Sequence, residues 1–201
     1  MSGHAIKLFD EPVRKFLAGV DLVLNSNTFI LQFPVLHHDV VSSFEAFLAT
    51  PDFQSQLLQQ DRDRDWYNFD LYDPETESYR VRAGLLVKES HILKATPVKE
   101  GRLQYLIAML TGDTTKGPFF SFYGKQKQEK EAAEIAAGLI QHLFNDRPWE
   151  LLILEPDFLW SEAERHLTNE IYYFAGEGGN DSATVLASED EGYLILTNGI
   201  D

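Results

Sequence analysis

The sequence predicts an α+β fold, in which a mostly antiparallel sheet, built from hairpins and a C-terminal meander, carries helices packed on it. Short β-rich runs are separated by turn residues at hairpin spacing, whereas other segments place their apolar residues at helical spacing. The chain has 201 residues, of which 44% are hydrophobic, so it is long enough to bury a substantial core. Because no stretch resembles an interdomain linker, we expect residues 1–201 to form a single domain.

The first predicted elements are a short helix and a hairpin. Asp10 is a capping residue, Pro12 suits the first helical turn, and Gly19 is a typical residue at a helix end. The β-rich runs 20–24 and 28–33 then flank Asn25-Ser26-Asn27, which is hairpin spacing. This pattern predicts that the helix ends near Gly19 and that two paired strands follow it.

A pair of helices interrupted by a proline is predicted next. Asp39 can cap a helix whose apolar face contains Val40, Phe44, Phe47 and Leu48. Thr50-Pro51-Asp52 ends that helix and begins a second one, which continues through Leu58. The charged run 61–65 is expected to be a loop.

A second hairpin is predicted from residues 66–71 and 79–87, which are β-rich runs on either side of turn residues 73–77. Residues 91–95 are a further candidate strand. Helical spacing returns at 101–110, with Gly112 at the expected end, and at 125–144. Gly138 inside the latter helix suggests a close contact, and the aromatic run 119–123 is either a strand or a buried loop.

The C-terminal third is predicted to be an antiparallel meander. Residues 150–155 form an apolar run typical of a strand buried on both faces, and Asp157 can cap a helix that follows it. Residues 170–175 are a further strand, and 183–187 and 193–197 form a final hairpin.

The charge of the chain is concentrated in residues 131–201, where fifteen carboxylates accompany two cations, Arg147 and Arg165. This segment carries −13 of the formal net charge of −15. Such a field disfavours binding to nucleic acid or to an anionic membrane surface, and it favours a basic protein partner. With neither a signal peptide nor a transmembrane segment in the sequence, we expect a cytoplasmic protein.

The familiar catalytic and cofactor motifs are missing from the sequence. Cysteine is absent, which excludes thiolate chemistry, and no nucleophile elbow or phosphate-binding loop occurs. The Asp61-x-Asp63-x-Asp65 run begins like a calcium loop, but it has Trp66 where a glycine is required. His37-His38-Asp39 is read as a surface segment at a helix start. We therefore expect neither a bound cofactor nor a metal, and no catalysis.

One enzymatic alternative remains open. Glu155 and Asp157 follow an apolar strand, a frequent position for active-site carboxylates, and Glu170, Glu177 or Asp181 could join them. A carboxylate set of this kind would suit a metal-dependent hydrolase.

The preferred interpretation is a non-catalytic protein-binding domain with an acidic C-terminal surface. Carboxylates accompanied by aromatic anchors are typical of interfaces. The most specific form of this hypothesis is an immunity or antitoxin-type inhibitor of a basic partner, and a small acidic chaperone or adaptor is a further alternative. The residues expected to bind the partner are Trp149, Glu150, Glu155, Asp157, Tyr173, Glu177, Asp181, Glu189, Asp190 and Glu191.

Overall fold

A computed structural model of the chain describes residues 10–66, 70–73, 75, 78–81, 94–117, 119–121, 123–155 and 182–199. The helices are α1 (Glu11–Leu24), α2 (Val40–Leu48), α3 (Pro51–Asp63), α4 (Arg102–Thr111) and α5 (Glu129–Phe144). The strands are β1 (Ser26–Pro34), β2 (Asp70–Asp73), β3 (Ser78–Val81), β4 (Ala95–Pro97), β5 (Glu150–Leu154), β6 (Ser182–Ala187) and β7 (Glu191–Gly199).

Within the described ranges, the main sheet is antiparallel and contains five strands in the order β1-β7-β6-β5-β4, while β2 and β3 form a separate two-stranded sheet. These elements confirm the predicted α+β class. Strands β5, β6 and β7 lie at the positions predicted for the 150–155 strand and the final hairpin. The described part of the 66–87 hairpin is shifted, because Trp66 is not in a strand and β2 includes Asp73 of the predicted turn. The predicted strand at 170–175 and the helix after Asp157 lie outside the described residues.

Helices cover both faces of the main sheet. Alternate side chains of the strands point to opposite faces, so Ile30 packs with α1, α4 and α5, whereas Phe29 and Leu31 pack with α2 and α3. Strand β5 contributes to both sides, with Leu151 in the first cluster and Leu152 in the second. The prediction of a strand buried on both faces is therefore confirmed.

The predicted first hairpin is wrong in its first half. Residues 20–24 are the C-terminal part of α1, which ends at Asn25 in the left-handed conformation (φ 49°). Gly19 does not end the helix: a Cβ there would lie 2.6 Å from Leu110 Cδ2, so the glycine permits close packing of α1 on α4. Val20, Val23 and Leu24 continue the buried stripe begun by earlier residues of the helix.

Several helix boundaries also differ from the predictions. Asp39 caps α2 as expected, but α3 extends to Asp63, so most of the run expected to be a loop is helical. Helix α5 begins at Glu129, four residues later than predicted. Apart from its chain neighbours and the backbone of its own helix, a Cβ added at Gly138 would have no heavy atom of the described residues within 4 Å, so the expected close contact is wrong. The described part of 119–123 contains no strand, and Phe119 is buried against Tyr105.

Candidate functional site

Three segments meet at one end of the main sheet and enclose a cleft. They are the turn at 36–39 before α2, residues 147–150 before β5, and the turn at 188–190 between β6 and β7. One part of this space has a volume of about 590 Å³, and the adjoining part has about 420 Å³. We call this space the acidic cleft; it is lined by Val35, His37, His38, Val40, Arg147, Pro148, Trp149, Glu150, Ala187, Ser188, Glu189 and Asp190.

Arg147 organises the cleft from the end of α5. The chain leaves that helix through Asn145 and Asp146, both with positive φ, and this bend brings Arg147 back over the helix terminus. Its Nε donates to the carbonyl oxygen of Phe144 at 3.1 Å. Its Nη1 donates to Asp190 Oδ1 at 2.8 Å, and its Nη2 donates to Glu191. One guanidinium thus joins α5 to the β6–β7 turn.

Glu191 is held by further contacts within the protein. Its Oε2 accepts a hydrogen bond from the Tyr193 hydroxyl at 2.7 Å and another from Gln32 Nε2 at 3.1 Å. Its hydrogen bond with Arg147 raises the pKa of the arginine. Burial raises the pKa of the Tyr193 phenol, and the nearby Glu191 carboxylate adds to that shift. Glu191 therefore stabilises the cleft wall, and its side chain, which is 25% exposed, already bonds to three groups of the protein.

Asp190 has a similar structural role. Besides the ion pair with Arg147, its Oδ1 accepts from the Ser188 hydroxyl at 2.9 Å, and its backbone carbonyl accepts from Val35 N at 3.0 Å. The backbone N–H of Ser188 donates a hydrogen bond to the Glu191 carbonyl at 2.9 Å, which closes the turn. The two carboxylates of the turn that follow Glu189 are thus compensated by one arginine.

The residues that line the cleft include three exposed carboxylates, Glu189, Asp190 and Glu150, and of these Asp190 is paired with Arg147. The Glu189 side chain is 81% exposed, and its Oε1 lies 3.5 Å from His38 Nδ1. Glu150 is exposed at the start of β5 and is paired in register with Ala187, next to the turn. Because Arg147 compensates the charge of Asp190, we attribute the attraction of the cleft for a cation mainly to Glu189 and Glu150.

His37 and His38 form the opposite wall in an unusual backbone conformation. Their φ angles are 56° and 58°, and Asp39 N donates to the Leu36 carbonyl at 3.1 Å, which is the pattern of a type I′ turn. Such turns favour Asn and Gly, and the left-handed region costs other residues roughly 1–2 kcal/mol each. The turn is fixed by Asp39, whose pKa is lowered by hydrogen bonds from Ser42 as it caps α2. Backbone strain of this kind is frequent at functional sites.

Trp149, which is predicted to bind the partner, packs mainly against other residues of the protein. Its ring stacks on Phe144 with a centroid separation of 6.0 Å and an interplanar angle of 2°. The Arg102 guanidinium lies 5.0 Å from the ring centroid, and it also donates to the Trp149 carbonyl. The indole therefore supports the cleft wall, and only part of it lines the open space.

Glu155 lies at the other end of β5 from the cleft. Five residues separate it from Glu150, which corresponds to about 17 Å along a strand. Its Oε2 forms an ion pair with Lys94 Nζ at 2.9 Å. Glu155 thus does not share one surface with the residues of the turn, and the other expected partner-binding residues, Asp157, Tyr173, Glu177 and Asp181, lie outside the described residues.

Three residues that shape the cleft, Arg147, His38 and Gln32, are not among those predicted for the partner-binding surface, whereas Tyr193 is an aromatic residue expected to accompany its carboxylates. A signal existed for Arg147, since it is one of two cations among fifteen carboxylates in the last third of the chain. The roles of Gln32 and Tyr193 depend on the register Gln32↔Tyr193 between β1 and β7, which connects residues far apart in sequence.

Within the described ranges, no group of three or more His, Asp or Glu side chains is placed to hold a metal ion. Among those same residues, no helix is both long and apolar enough to cross a membrane. Comparisons with protein-family models, with curated proteins and with solved structures found no match for this chain.

Proposed function

We propose that the chain is a non-catalytic binding domain that recognises a basic protein through the acidic cleft. Its most specific form is an inhibitor of the immunity or antitoxin type, whose carboxylates occupy the partner's phosphate-binding surface. The observation that carries the proposal is the pair of exposed carboxylates, Glu189 and Glu150, at the mouth of a cleft whose walls are fixed by internal ion pairs.

Preorganisation supports this proposal. An interface whose groups are already fixed loses less conformational entropy on binding than a flexible one. Arg147 fixes Asp190 and Glu191, and the turn backbone then holds Glu189 between them and Ser188. The overall charge of −15 adds a long-range field that would accelerate encounter with a basic partner.

The test compares neutralised variants with a matched control. The variant Glu150→Gln with Glu189→Gln removes the two exposed cleft charges, and the control removes two exposed charges elsewhere, Glu45 on α2 and Glu134 on α5. A basic partner captured from cell lysate is purified, and its association rate is measured at low and high salt. We expect the cleft variant to associate roughly tenfold more slowly at low salt, with the difference shrinking at high salt.

Inhibition is measured in the same experiment by assaying the captured partner's own activity with and without the domain. Loss of partner activity on binding is expected of an inhibitor. Equal association rates for the cleft variant and the Glu45/Glu134 control would reject the cleft as the recognition surface. Binding without any change in partner activity would retain a binding domain but reject the inhibitor.

A second candidate, an adaptor that binds an apolar segment, is favoured by a groove between α1 and α5. The groove has a volume of about 660 Å³ and includes Leu22, which is 45% exposed, and the open position at Gly138. The aromatic run 119–123 is less suited to such a role, because Phe119 is fully buried. Partner binding lost in Leu22→Ser and retained in the cleft variant would favour the adaptor.

A further inference from the structure

Strand β1 is an edge strand of the main sheet, yet its outer side is occupied by side chains of a helix. Among the strands of the described residues, it pairs with β7 alone, over the full length Ser26–Pro34. An edge strand of this length presents unpaired backbone groups that can recruit a strand from another molecule. On the outer side of β1, helix α3 supplies hydrogen-bonding partners for those groups.

The contacts between β1 and α3 form a regular series. Ile30 N donates to Gln60 Oε1 at 3.0 Å, and Gln60 Nε2 donates back to the Ile30 carbonyl at 2.7 Å. Gln56 repeats this pattern at Gln32, with distances of 2.9 Å and 2.8 Å. Each glutamine amide therefore offers one donor and one acceptor, as a residue of a neighbouring strand does.

Arg64, at the C-terminal end of α3, extends the series to a third strand position. Its Nη1 donates to the Thr28 carbonyl at 2.6 Å. The guanidinium is fixed by its ion pair with Asp21 and by the Trp66 ring, whose centroid is 3.9 Å away. Three of the outward-facing positions of β1, at Thr28, Ile30 and Gln32, are thus bonded by three side chains that follow each other along α3 and its C-cap.

The two spacings match because of elementary geometry. Residues four apart on a helix are separated by about 6.0 Å along its axis, and residues two apart on a strand by about 6.6 Å. Positions 56, 60 and 64 can therefore follow positions 32, 30 and 28 in antiparallel order. Pro34, at the next outward position, has no N–H to satisfy.

The opposite edge of the sheet is also unsuited to strand addition. Lys94 and Val98 bond to β5, so alternation turns Ala95 and Pro97 of β4 outward, and Pro97 lacks a donor. If α3 did not cover the β1 edge, that edge could pair with the β1 edge of a second copy about a two-fold axis. In an antiparallel pair of two β1 strands centred on Ile30, Thr28 of one copy would face Gln32 of the other.

We propose that α3 is a strand-mimicking cap, in which Gln56, Gln60 and Arg64 keep the β1 edge closed to a second copy of this chain. The first test uses hydrogen exchange on the wild-type protein. The amides of Ile30 and Gln32 should exchange as slowly as that of Ile195 in β7. Exchange as fast as that of the exposed turn residue Glu189 would overturn the proposal.

The second test removes the amides while keeping side-chain length. In Gln56→Met with Gln60→Met, the β1 edge loses its side-chain partners at Ile30 and Gln32, and we expect sedimentation velocity to show a mass twice that of the wild type at raised concentration. The control, Gln54→Met with Gln59→Met, changes two glutamines on other sides of α3 and should leave the mass unchanged. A folded double variant with the wild-type mass, or the same doubling in the control, contradicts the cap.

The third test locates the contact. Adding Gln32→Pro to the Gln56/Gln60 variant removes an outward N–H of β1 and keeps the backbone hydrogen bonds to β7, so the mass should return to the wild-type value. Both Gln32→Pro and Gln32→Ala lose the side-chain hydrogen bond to Glu191, so Gln32→Ala in the same background is the control and should leave the mass doubled. A doubled mass in this triple variant would place the association elsewhere and reject the proposal. If the double variant does not fold, Gln56→Met alone, with and without Gln32→Pro, is measured by the same criteria.

Discussion

Arg147 and Glu191 are 44 residues apart in sequence and form an ion pair that joins the end of α5 to the start of β7. The same guanidinium bonds Asp190, while Glu191 also accepts from Tyr193 and Gln32. This arrangement explains how three consecutive carboxylates can occupy one tight turn. Two of them are compensated by a shared cation, and the third, Glu189, extends into solvent.

Arg147→Met should destabilise the fold. The change leaves the partly buried Glu191 without its cation and releases the carbonyl groups at the end of α5. Because the arginine is partly exposed, solvent screening limits the loss, and we expect about 1–2 kcal/mol in the free energy of unfolding. Urea denaturation measures it, with Arg14→Met, on the exposed side of α1, as the control. Equal losses of unfolding free energy in the two variants would mean that the ion pairs of Arg147 do not stabilise the turn.

The pH dependence of stability should report on Asp21. Burial raises the pKa of this carboxyl to about 6, although the Arg64 guanidinium and Thr28 act in the opposite direction. A carboxyl whose pKa is higher in the folded state than in the unfolded state binds more protons when folded. Its stabilising effect is therefore complete below about pH 4 and is lost as the pH rises through 6.

The variant Asp21→Asn isolates this effect. Relative to the variant, the wild type should lose on the order of 3 kcal/mol between pH 4 and pH 7, since each pKa unit corresponds to about 1.4 kcal/mol. Urea denaturation at pH 4, 5, 6 and 7 measures the difference, and Asp52→Asn, at an exposed position of α3, is the control. A wild type that becomes more stable relative to Asp21→Asn as the pH rises would contradict the sign.

The fold class was accessible from the sequence because most elements carry a local signal. Asp39 at the start of α2 and Gly112 at the end of α4 are examples, and both have the predicted roles. The error at residues 20–24 has a tertiary cause. A run of Val and Leu after a glycine resembles a strand, but the helix continues because Gly19 packs closely on Leu110 and because Val20, Val23 and Leu24 extend its buried stripe.

The candidate site is less accessible from the sequence, for a similar reason. Charge counting identifies Glu189, Asp190 and Glu191 as a group, but it treats them as equivalent. Their difference arises from Arg147 and from the β1–β7 register, and neither follows from local composition. The segment 156–181, which contains four of the expected partner-binding residues, lies outside the part of the chain that the structure describes.

Two glycines in helices should respond oppositely to alanine. At Gly138 the space beside the helix is open, so Gly138→Ala should stabilise the protein by about 0.5–1 kcal/mol through helix propensity. At Gly19 the new Cβ would lie 2.6 Å from the buried Leu110 side chain. Overpacking of this kind costs roughly 1–3 kcal/mol, so Gly19→Ala should destabilise. Thermal unfolding of both variants is the measurement, and a stabilised Gly19→Ala would show that α1 and α4 separate easily.

The left-handed backbone at His37 and His38 should lower the free energy of unfolding of the protein. Asn and Gly are the residues that type I′ turns favour, so His37→Asn with His38→Gly should relieve the two left-handed positions and raise the free energy of unfolding by about 1–2 kcal/mol. The same variant removes His38 from beside Glu189. Urea denaturation measures the stability, and the control His142→Asn, on α5, should not show the gain. An unchanged or reduced stability would mean that the two histidines make contacts that compensate their backbone strain.

The same variant also tests whether the histidines bind the partner. Relief of strain alone leaves Glu189 and Glu150 in place and should not change affinity. A variant that is more stable but binds the basic partner more weakly would therefore identify the histidines as part of the recognition surface.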